Sequence, residues 1–582
     1  MSSLGRMTAY EPFSVWAPHA RNVRLRLSDE TFPMRAARGD WWVAEQVAEP
    51  GQRYGFELFD GKEWSKTLPD PRSTAQPDGV HGLSEVTDPA FPWTSEGWTG
   101  RPLAGQVIYE LHVGTFTPAG TFEGVVDKLG YLRDLGVTAI ELMPVQPFGG
   151  ERNWGYDGVE WHAVHQGYGG PEGLKKLVDA AHNAGIGVIL DVVFNHFGPD
   201  GNYNGMFGPY TSGGNTGWGE VVNISGPDSD EVRAYILDAV RLWFEEYRID
   251  GLRLDAVHSL DDRGAHSILE QMQAIADDVA ARTSVPRYLI AESDLNDPRL
   301  ITGTDGGGYG LAGQWVDDIH HALHTLVSGE SHAYYEDYGS LDALAKTLRG
   351  GYFFTGTWSS YRGRTHGRAI DTAAVPAHRL VTYTTTHDQT GNRAGGDRPS
   401  MTLTPAQQVL KAAVIYASPF TPMLFMGEEF GAQTPFAFFC SHTDEELNRL
   451  TSEGRKREFA RSGWDDNEVP DPADPATFES SKLDWEFSQE QQEIHAAYRQ
   501  LLQLRRELGL ARPDLSKLAV ETGTEKNKWL AMGHDDVMLV ANLSDRPVTA
   551  PYGGELIWSF TQPSVELDRT SLGPWEFALI RR

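Results

Sequence analysis

Gly251-Leu252-Arg253-Leu254-Asp255-Ala256-Val257 is the stretch on which the fold turns. Two charged residues, two positions apart, interrupt an otherwise apolar run. In a strand, side chains alternate, so Arg253 and Asp255 point to the same side. A carboxylate fixed beside a guanidinium stays ionised. Such a pair is either a core ion pair or the seat of a charged nucleophile, and the run alone leaves both open.

The flanking residues give this strand its place. Before it, Val232, Tyr235, Ile236, Ala239, Val240, Trp243 and Tyr247 form the apolar stripe of a helix predicted over Ser229 to Arg248. Asp228 and Glu231 read as a capping-box-like start. The same alternation runs outward in both directions. Strands are predicted at Val107–Phe116, Val137–Val145, Ile186–Phe194, Tyr288–Ser293, His378–Thr386 and Thr421–Met426. Phe122, Val125, Val126, Leu129 and Leu132 mark a helix that Gly136 ends. Pro171 opens another, with Gly185 as its stop. Continuous apolar strands alternating with helices indicate a parallel sheet covered on both faces. With a further strand around Gln314 to Ile319, eight βα units are predicted to close into a (β/α)8 TIM barrel. A doubly wound sheet is the alternative, but no Gly-rich nucleotide fingerprint follows the first strand.

Polar residues gather at the strands' C-terminal ends, where barrel enzymes hold their active sites. The third strand runs into Asn195-His196, the fifth into Glu292-Ser293-Asp294, and the seventh into His387-Asp388-Gln389. Carboxylates converging on one mouth suit glycoside cleavage, with one charged nucleophile and one protonated acid. A third carboxylate can hold hydroxyls and the developing positive charge. An acid-only trio could instead bind a metal.

Both flanks read as β-structure. FSVWAP (Phe13–Pro18), NVRLRL (Asn22–Leu27), WWVAEQV (Trp41–Val47) and RYGFELF (Arg53–Phe59) suggest an N-terminal β-sandwich, followed by a linker over Asp88 to Pro102. After a helix over Gln491 to Leu508, the runs WLAMG, VMLVANL, GELIWSF and PWEFALI suggest a C-terminal antiparallel β-domain. The expected division is 1–93, 94–512 and 513–582.

Charge narrows the partners. Lys and Arg number 50 against 81 Asp and Glu, a net charge of −31, which repels nucleic acid and anionic membranes. The apolar stretch from Ala412 to Met426 is broken by Pro419 and Pro422 and is too short to span a bilayer. One cysteine, Cys440, allows no internal disulfide and fits a reducing compartment, with a secreted protein lacking disulfides as the alternative. No basic-then-apolar leader occurs in Met1 to Phe13, so a cytoplasmic protein is expected. The 17 tryptophans suit a core and suit the flat faces of sugars.

DVVFNH (Asp191–His196), GLRLDAVH (Gly251–His258), AESD (Ala291–Asp294) and TTHDQ (Thr385–Gln389) resemble, in this order, the four signature regions of the α-amylase superfamily, glycoside hydrolase family 13. The resemblance covers nearly the whole chain. It implies that Asp255 is the nucleophile, Glu292 the general acid/base and Asp388 the transition-state stabiliser. It implies substrate contacts from Tyr156, His196, His387, Arg253 and His258, with Trp154 and Asp157 beside Tyr156 in one loop. A retaining mechanism would then place the Asp255 and Glu292 carboxyl groups about 5–5.5 Å apart. ERNWGYDGV (Glu151–Val159), NHFGPDGNY (Asn195–Tyr203), AESDLNDPRL (Ala291–Leu300), FMGEEFG (Phe425–Gly431) and EGRKREFA (Glu453–Ala460) are similar to one subfamily. Its members hydrolyse the α-1,4 bond next to the terminal trehalose unit of maltooligosyltrehalose and release trehalose. This implies no cofactor, no metal, related α-glucans as ligands, and a pathway shared with a maltooligosyltrehalose synthase. Branching enzymes use the same trio but usually carry an acidic residue where this chain has Ser293; debranching enzymes are a further option. A non-catalytic carbohydrate-binding protein on a degenerate barrel would lack one or more of the three carboxylates, and all three are present.

Four signals are set aside. Asp200 to Gly205 fits half of a calcium loop, but its twelfth position is Thr211 and not Glu. Gly303 to Gly310 lacks a P-loop ending and reads as an active-site loop. Arg455-Lys456-Arg457 reads as a solvated face. The acidic, proline-rich run from Asp465 to Asp474 reads as an exposed loop.

Overall fold

The computed structural model describes residues 13–460, 469–534 and 536–582. Its centre is a closed barrel of eight parallel strands: Ile108–Leu111, Ala139–Leu142, Gly187–Val192, Gly251–Leu254, Tyr288–Ala291, Gly313–Trp315, Leu380–Tyr383 and Thr421–Phe425. The last strand closes on the first, with Met423 opposite Ile108 and Phe425 opposite Glu110. Seven of the eight predicted barrel strands contain an observed one. The sixth is the exception in detail: it stops at Trp315, because Asp317 and Asp318 begin a helix, Asp317–Ser328, whose first turn favours acidic residues. Inward-facing Ile108, Ala139, Ile189, Ile290, Trp315, Val381, Tyr383 and Met423 fill the barrel as a packed layer.

The helices confirm the rhythm and correct two boundaries. The helix expected from Phe122 onward is two, Phe122–Val126 and Leu129–Leu135, and Gly136 ends the second at φ 112°. The capping box at Asp228 and Glu231 does not form before Ser229–Glu245. Asp228 sits at φ 60°, a left-handed backbone that aims its carboxylate away from the first-turn N–H groups. The Glu231 carboxyl bonds instead to Trp41, in the N-terminal sheets.

Ser14–Trp16, Trp41–Val43 and Arg35–Ala36 form one small antiparallel sheet there; Glu30–Pro33, Asn22–Leu27, Arg53–Phe59 and Ser84–Glu85 form the other. At the opposite end, Ala519–Thr524, Asn527–His534, Val537–Asn542, Phe577–Arg581 and Glu555–Trp558 make a five-stranded sheet beside a three-stranded one. A single hydrophobic core runs from Phe13 through the outer barrel wall to Leu579, so both flanks are welded to the barrel by apolar burial. Of the acidic run, residues 465–468 lie outside the described residues. Beyond them Val469 is buried, and the Pro472 carbonyl accepts from the Cys440 N–H at 2.9 Å, so this part is tied down and not a free loop. Among the described residues no helix is long and apolar enough to cross a membrane.

Candidate active site

The fourth barrel strand sets the geometry. Gly251 opens it because a Cβ there would fall 2.3 Å from the Tyr288 ring. Arg253 then points inward with 0% exposure. Its Nη1 donates to Asp255 at 2.7 Å and to both oxygens of Asp191 at 2.9 and 3.0 Å. Its Nη2 lies 3.8 Å from Glu292, and the indole of Trp315 covers its face at 4.3 Å. One fixed cation thus faces three carboxylates. Asp255 also accepts from Asn195 Nδ2 at 2.8 Å, so each of its oxygens has a strong donor.

The chain turns sharply after Asp255. Ala256 holds φ 39°, a strained left-handed conformation for a residue with a side chain. That turn aims the Ala256 N–H at Glu292 Oε2, 2.6 Å away, and the Val257 N–H at the Glu292 carbonyl, 3.1 Å away. The ends of strands four and five are thereby locked in register, with Asp255 and Glu292 adjacent across the lock.

Electrostatics separate the carboxyls. Burial pushes Glu292 up, Arg253 opposes, and the charges of Asp255, Asp388 and Asp317 add to the rise, leaving it at about 8. Burial also raises Asp191, to about 6. His387 moves the other way from a buried imidazole. Burial disfavours its charge, but Asp388 and Glu110 outweigh this and hold it at about 9. Hydrogen bonding agrees. The Tyr156 O–H donates to Asp191 at 2.6 Å, so His387 Nε2 must donate to the Tyr156 oxygen at 2.9 Å. Its Nδ1 donates to Glu110 at 2.5 Å. Both ring nitrogens carry protons.

A cavity of about 770 Å³ opens over this floor. Asp255, Glu292, Asp388, Tyr156, His196, His258, His387, Trp154 and Asp157 all line it. His196 lies between the Tyr156 carbonyl at 3.0 Å and Asn195 Oδ1 at 2.6 Å. Asp157 accepts from Asn153 Nδ2 at 2.6 Å. Asp388, 45% exposed, is the most open carboxylate of the trio. Two expectations shift. Arg253 is wholly buried and does not line the cavity, so it acts through Asp191 and Asp255, which its Nη1 bonds. Trp154 presents only an edge, since Phe436 stacks on its indole at 5.2 Å and its Nε1 donates to the Ala437 carbonyl.

Two other readings, of Arg455 and of the glycine-rich segment, are corrected outright. Arg455 is not on a solvated face: it lines the cavity, while Arg457 is exposed. The glycine-rich segment does not line the cavity. Its Tyr309 borders an adjoining hollow of about 370 Å³ that shares His258 with the cavity. Asp200 is committed to Thr443 and His81, as a bound side chain and not a free ligand. Among the described residues no group of three His, Cys, Asp or Glu is arranged to hold a metal.

Sequence reasoning missed several parts. Glu110 and Glu141 sit on strands one and two, both buried, the second raised well above the carboxylate range chiefly by burial. Asp317, from the helix after strand six, is raised to about 6 by burial and is held by Tyr383 at 2.7 Å. Acidic residues within otherwise apolar strands were the available signal for the first two. Trp218, Tyr334, Tyr361, Phe438 and Phe459 reach the cavity from loops and helices with no periodicity to announce them.

A barrel with a buried arginine between two carboxylates of opposite character defines a glycosidase of the α-amylase type. Residues 71–206 match the family described as Alpha amylase, catalytic domain, and residues 519–579 match a domain of unknown function, DUF3459. A malto-oligosyltrehalose trehalohydrolase of Mycobacterium tuberculosis is 49% identical over 98% of this chain and 99% of that one. One of Rhizobium sp. M-11 is 50% identical over 98% and 97%. A crystal structure from Salmonella typhimurium, provisionally designated an alpha amylase, superposes with a TM-score of 0.88 at 36% identity over 98% of this chain and 97% of that one. The chain belongs to the malto-oligosyltrehalose trehalohydrolase family of α-amylase-type glycosidases.

Proposed function

We propose that this protein hydrolyses the α-1,4 bond next to the terminal trehalose of maltooligosyltrehalose, releasing trehalose and a maltooligosaccharide. The observation that carries the reading is the split between two neighbouring carboxyls. Asp255 accepts from a buried guanidinium and an amide, while Glu292, buried and raised to about 8, keeps its proton at neutral pH. In the first step an Asp255 oxygen attacks the anomeric carbon as the Glu292 O–H protonates the departing glycosidic oxygen, and trehalose leaves. In the second, Glu292 takes a proton from water, whose oxygen displaces Asp255 and frees the sugar with retained configuration. Asp388 grips hydroxyls of the attacked ring and its positive charge. Tyr156, His196 and His387 form the floor beneath it, and His387 holds Tyr156 in place by a donated hydrogen bond. Arg253 holds Asp255 aimed through its 2.7 Å hydrogen bond.

This function suits a division into 1–93, 94–512 and 513–582, with all chemistry in the barrel. It suits a place in the cytoplasm after a maltooligosyltrehalose synthase, and the one free cysteine, Cys440, is compatible with a reducing compartment. Proton NMR of the reaction with maltotriosyltrehalose tests the reading. Trehalose and the α-anomer of the new reducing end are expected together; a β-anomer first, or no trehalose, would overturn it.

A further inference from the structure

The mechanism leaves one buried carboxylate beneath the floor without a task. Glu110 stands on the first barrel strand, Ile108–Leu111, and is 1% exposed. Its Oε2 accepts the backbone N–H of His387 at 3.1 Å, and its Oε1 accepts the Nδ1–H of the same residue at 2.5 Å. One side chain therefore fixes both the backbone and the ring of the residue that precedes Asp388. Strand one is paired on both sides, with Glu110 opposite Phe425 and Glu141, so the carboxylate stands on a rigid base.

Glu110 also begins a line of hydrogen bonds that ends on the nucleophile. His387 Nε2 bonds the Tyr156 hydroxyl at 2.9 Å, and that hydroxyl bonds Asp191 at 2.6 Å. Arg253 Nη1 then joins Asp191 to Asp255, at 2.9 and 2.7 Å. The end groups set the direction of this line. The Tyr156 hydroxyl has one proton, which goes to Asp191, so His387 Nε2 must donate. At the other end Glu110 accepts a backbone N–H and the Nδ1–H together. A buried carboxylate on Nδ1 fixes the protonation and orientation of an imidazole in the same way in Ser-His-Asp triads.

The remaining neighbours of the ring agree. Burial and, more weakly, Arg253 disfavour the imidazolium, while Asp388 and Glu110 favour it and hold it at about 9. Asp388 Oδ1 lies 3.5 Å from Nε2. Behind the ring, His112 is kept neutral at about 4 by burial and by the His387 charge, and Glu141 is raised well above the carboxylate range chiefly by burial. Tyr156 stacks on the imidazole at 5.2 Å, and Trp154 and Trp315 close two further sides at 5.7 and 6.0 Å.

Resting on the function above, we propose that Glu110 is a positioning residue for the reaction: it holds His387 as a donor at both ring nitrogens, and through His387 it orients Asp388 on one side and the line to Asp255 on the other. Glu110 itself does not line the cavity and touches no substrate.

Glu110→Gln tests this, because an amide cannot accept at both ends. Its oxygen must face the His387 N–H, which turns its NH2 towards Nδ1 and drives off the Nδ1 proton. Two readouts are needed: kcat and KM on maltotriosyltrehalose, and nitrogen-15 NMR of histidine-labelled protein without substrate, the His387 signals being those lost in His387→Gln. The wild type should show both ring N–H groups at pH 7, and lose one only as the pH rises through about 9. Glu110→Gln should show one at pH 7, and its kcat should fall about tenfold or more while KM stays within about threefold. Glu110→Asp keeps the accepting oxygens at shorter reach, so it should keep both N–H groups and lose less of kcat than Glu110→Gln. Unchanged kcat in Glu110→Gln, or two ring N–H groups persisting there at pH 7, would overturn the proposal. So would equal losses of kcat in the two variants, which a merely structural defect would give. Should Glu110→Gln melt too early to assay, the wild type decides: a single His387 ring N–H at pH 7 overturns the proposal, and two support it. A wild type that releases no trehalose defeats the functional reading, and the proposed role with it, even where the spectrum shows both N–H groups.

Discussion

Raising the pH should switch this enzyme off by removing one proton from Glu292. The glycosylation step needs that carboxyl protonated, and burial together with Asp255, Asp388 and Asp317 holds it at about 8 against an ordinary 4.5. At pH 7 about nine-tenths of the molecules then carry the proton, at pH 9 about one-tenth, and at pH 10 about one-hundredth. The expected alkaline limb of kcat/KM is a tenfold fall from pH 7 to 9 and a further tenfold fall by pH 10. An unshifted glutamate would leave only about one molecule in three hundred competent at pH 7. The assay is trehalose release at subsaturating maltotriosyltrehalose, with tryptophan fluorescence recorded at each pH to verify that the fold persists. Glu292→Gln should lose about 10²–10⁴ in rate on this substrate and should have no limb near pH 8. On maltotriosyl fluoride, whose leaving group departs without a proton, the variant should recover most of its glycosylation rate. A limb centred below pH 6 in the wild type would refute the reasoning, as would a surviving limb near 8 in Glu292→Gln.

Three further outcomes are expected. Asp255→Asn should abolish trehalose release while circular dichroism stays native, because the side chain is 15% exposed at the end of a finished strand; near-normal turnover would sink its role as nucleophile. Arg253→Met should cost about 3–5 kcal/mol in urea unfolding, since it strands Asp191 and Asp255 without their buried cation; a loss under about 1 kcal/mol would contradict that electrostatic picture. His387, held at about 9 instead of 6.5, contributes its stability fully below pH 6.5 and loses it as pH rises through about 9, a change of roughly 3 kcal/mol. The melting temperature should therefore fall between pH 7 and 10, and His387→Gln should flatten that part of the fall; an identical slope in the variant would rule the pair out as its cause.

The barrel was legible because its strands are buried on both faces and read as apolar runs, and because their polar ends fall at one rim. Strand six was the hardest: only Gly313–Trp315 pairs, too short a run for periodicity to register. The carboxylates were legible for a related reason, since Asp255 and Glu292 directly follow apolar strands. The cavity walls were not. Arg455 lies in the charged run EGRKREFA, and nothing local distinguishes it from Arg457, which faces solvent. Tertiary packing against Phe438 and Phe459 makes that choice. The capping pair at Asp228 shows the converse. The residue types were right, but a left-handed turn at Asp228 and the pull of Trp41 on Glu231 overrode them.

The central claim is that the cavity recognises trehalose as the leaving group. The direct measurement compares kcat/KM for maltotriosyltrehalose with that for maltopentaose, a plain chain with the same number of glucose units, with all products separated by chromatography. A preference of at least about a hundredfold for the trehalose-capped substrate, with trehalose and maltotriose as the first products, is expected. Equal rates on both, or the appearance of α-1,6 branches when amylose is supplied, would contradict it.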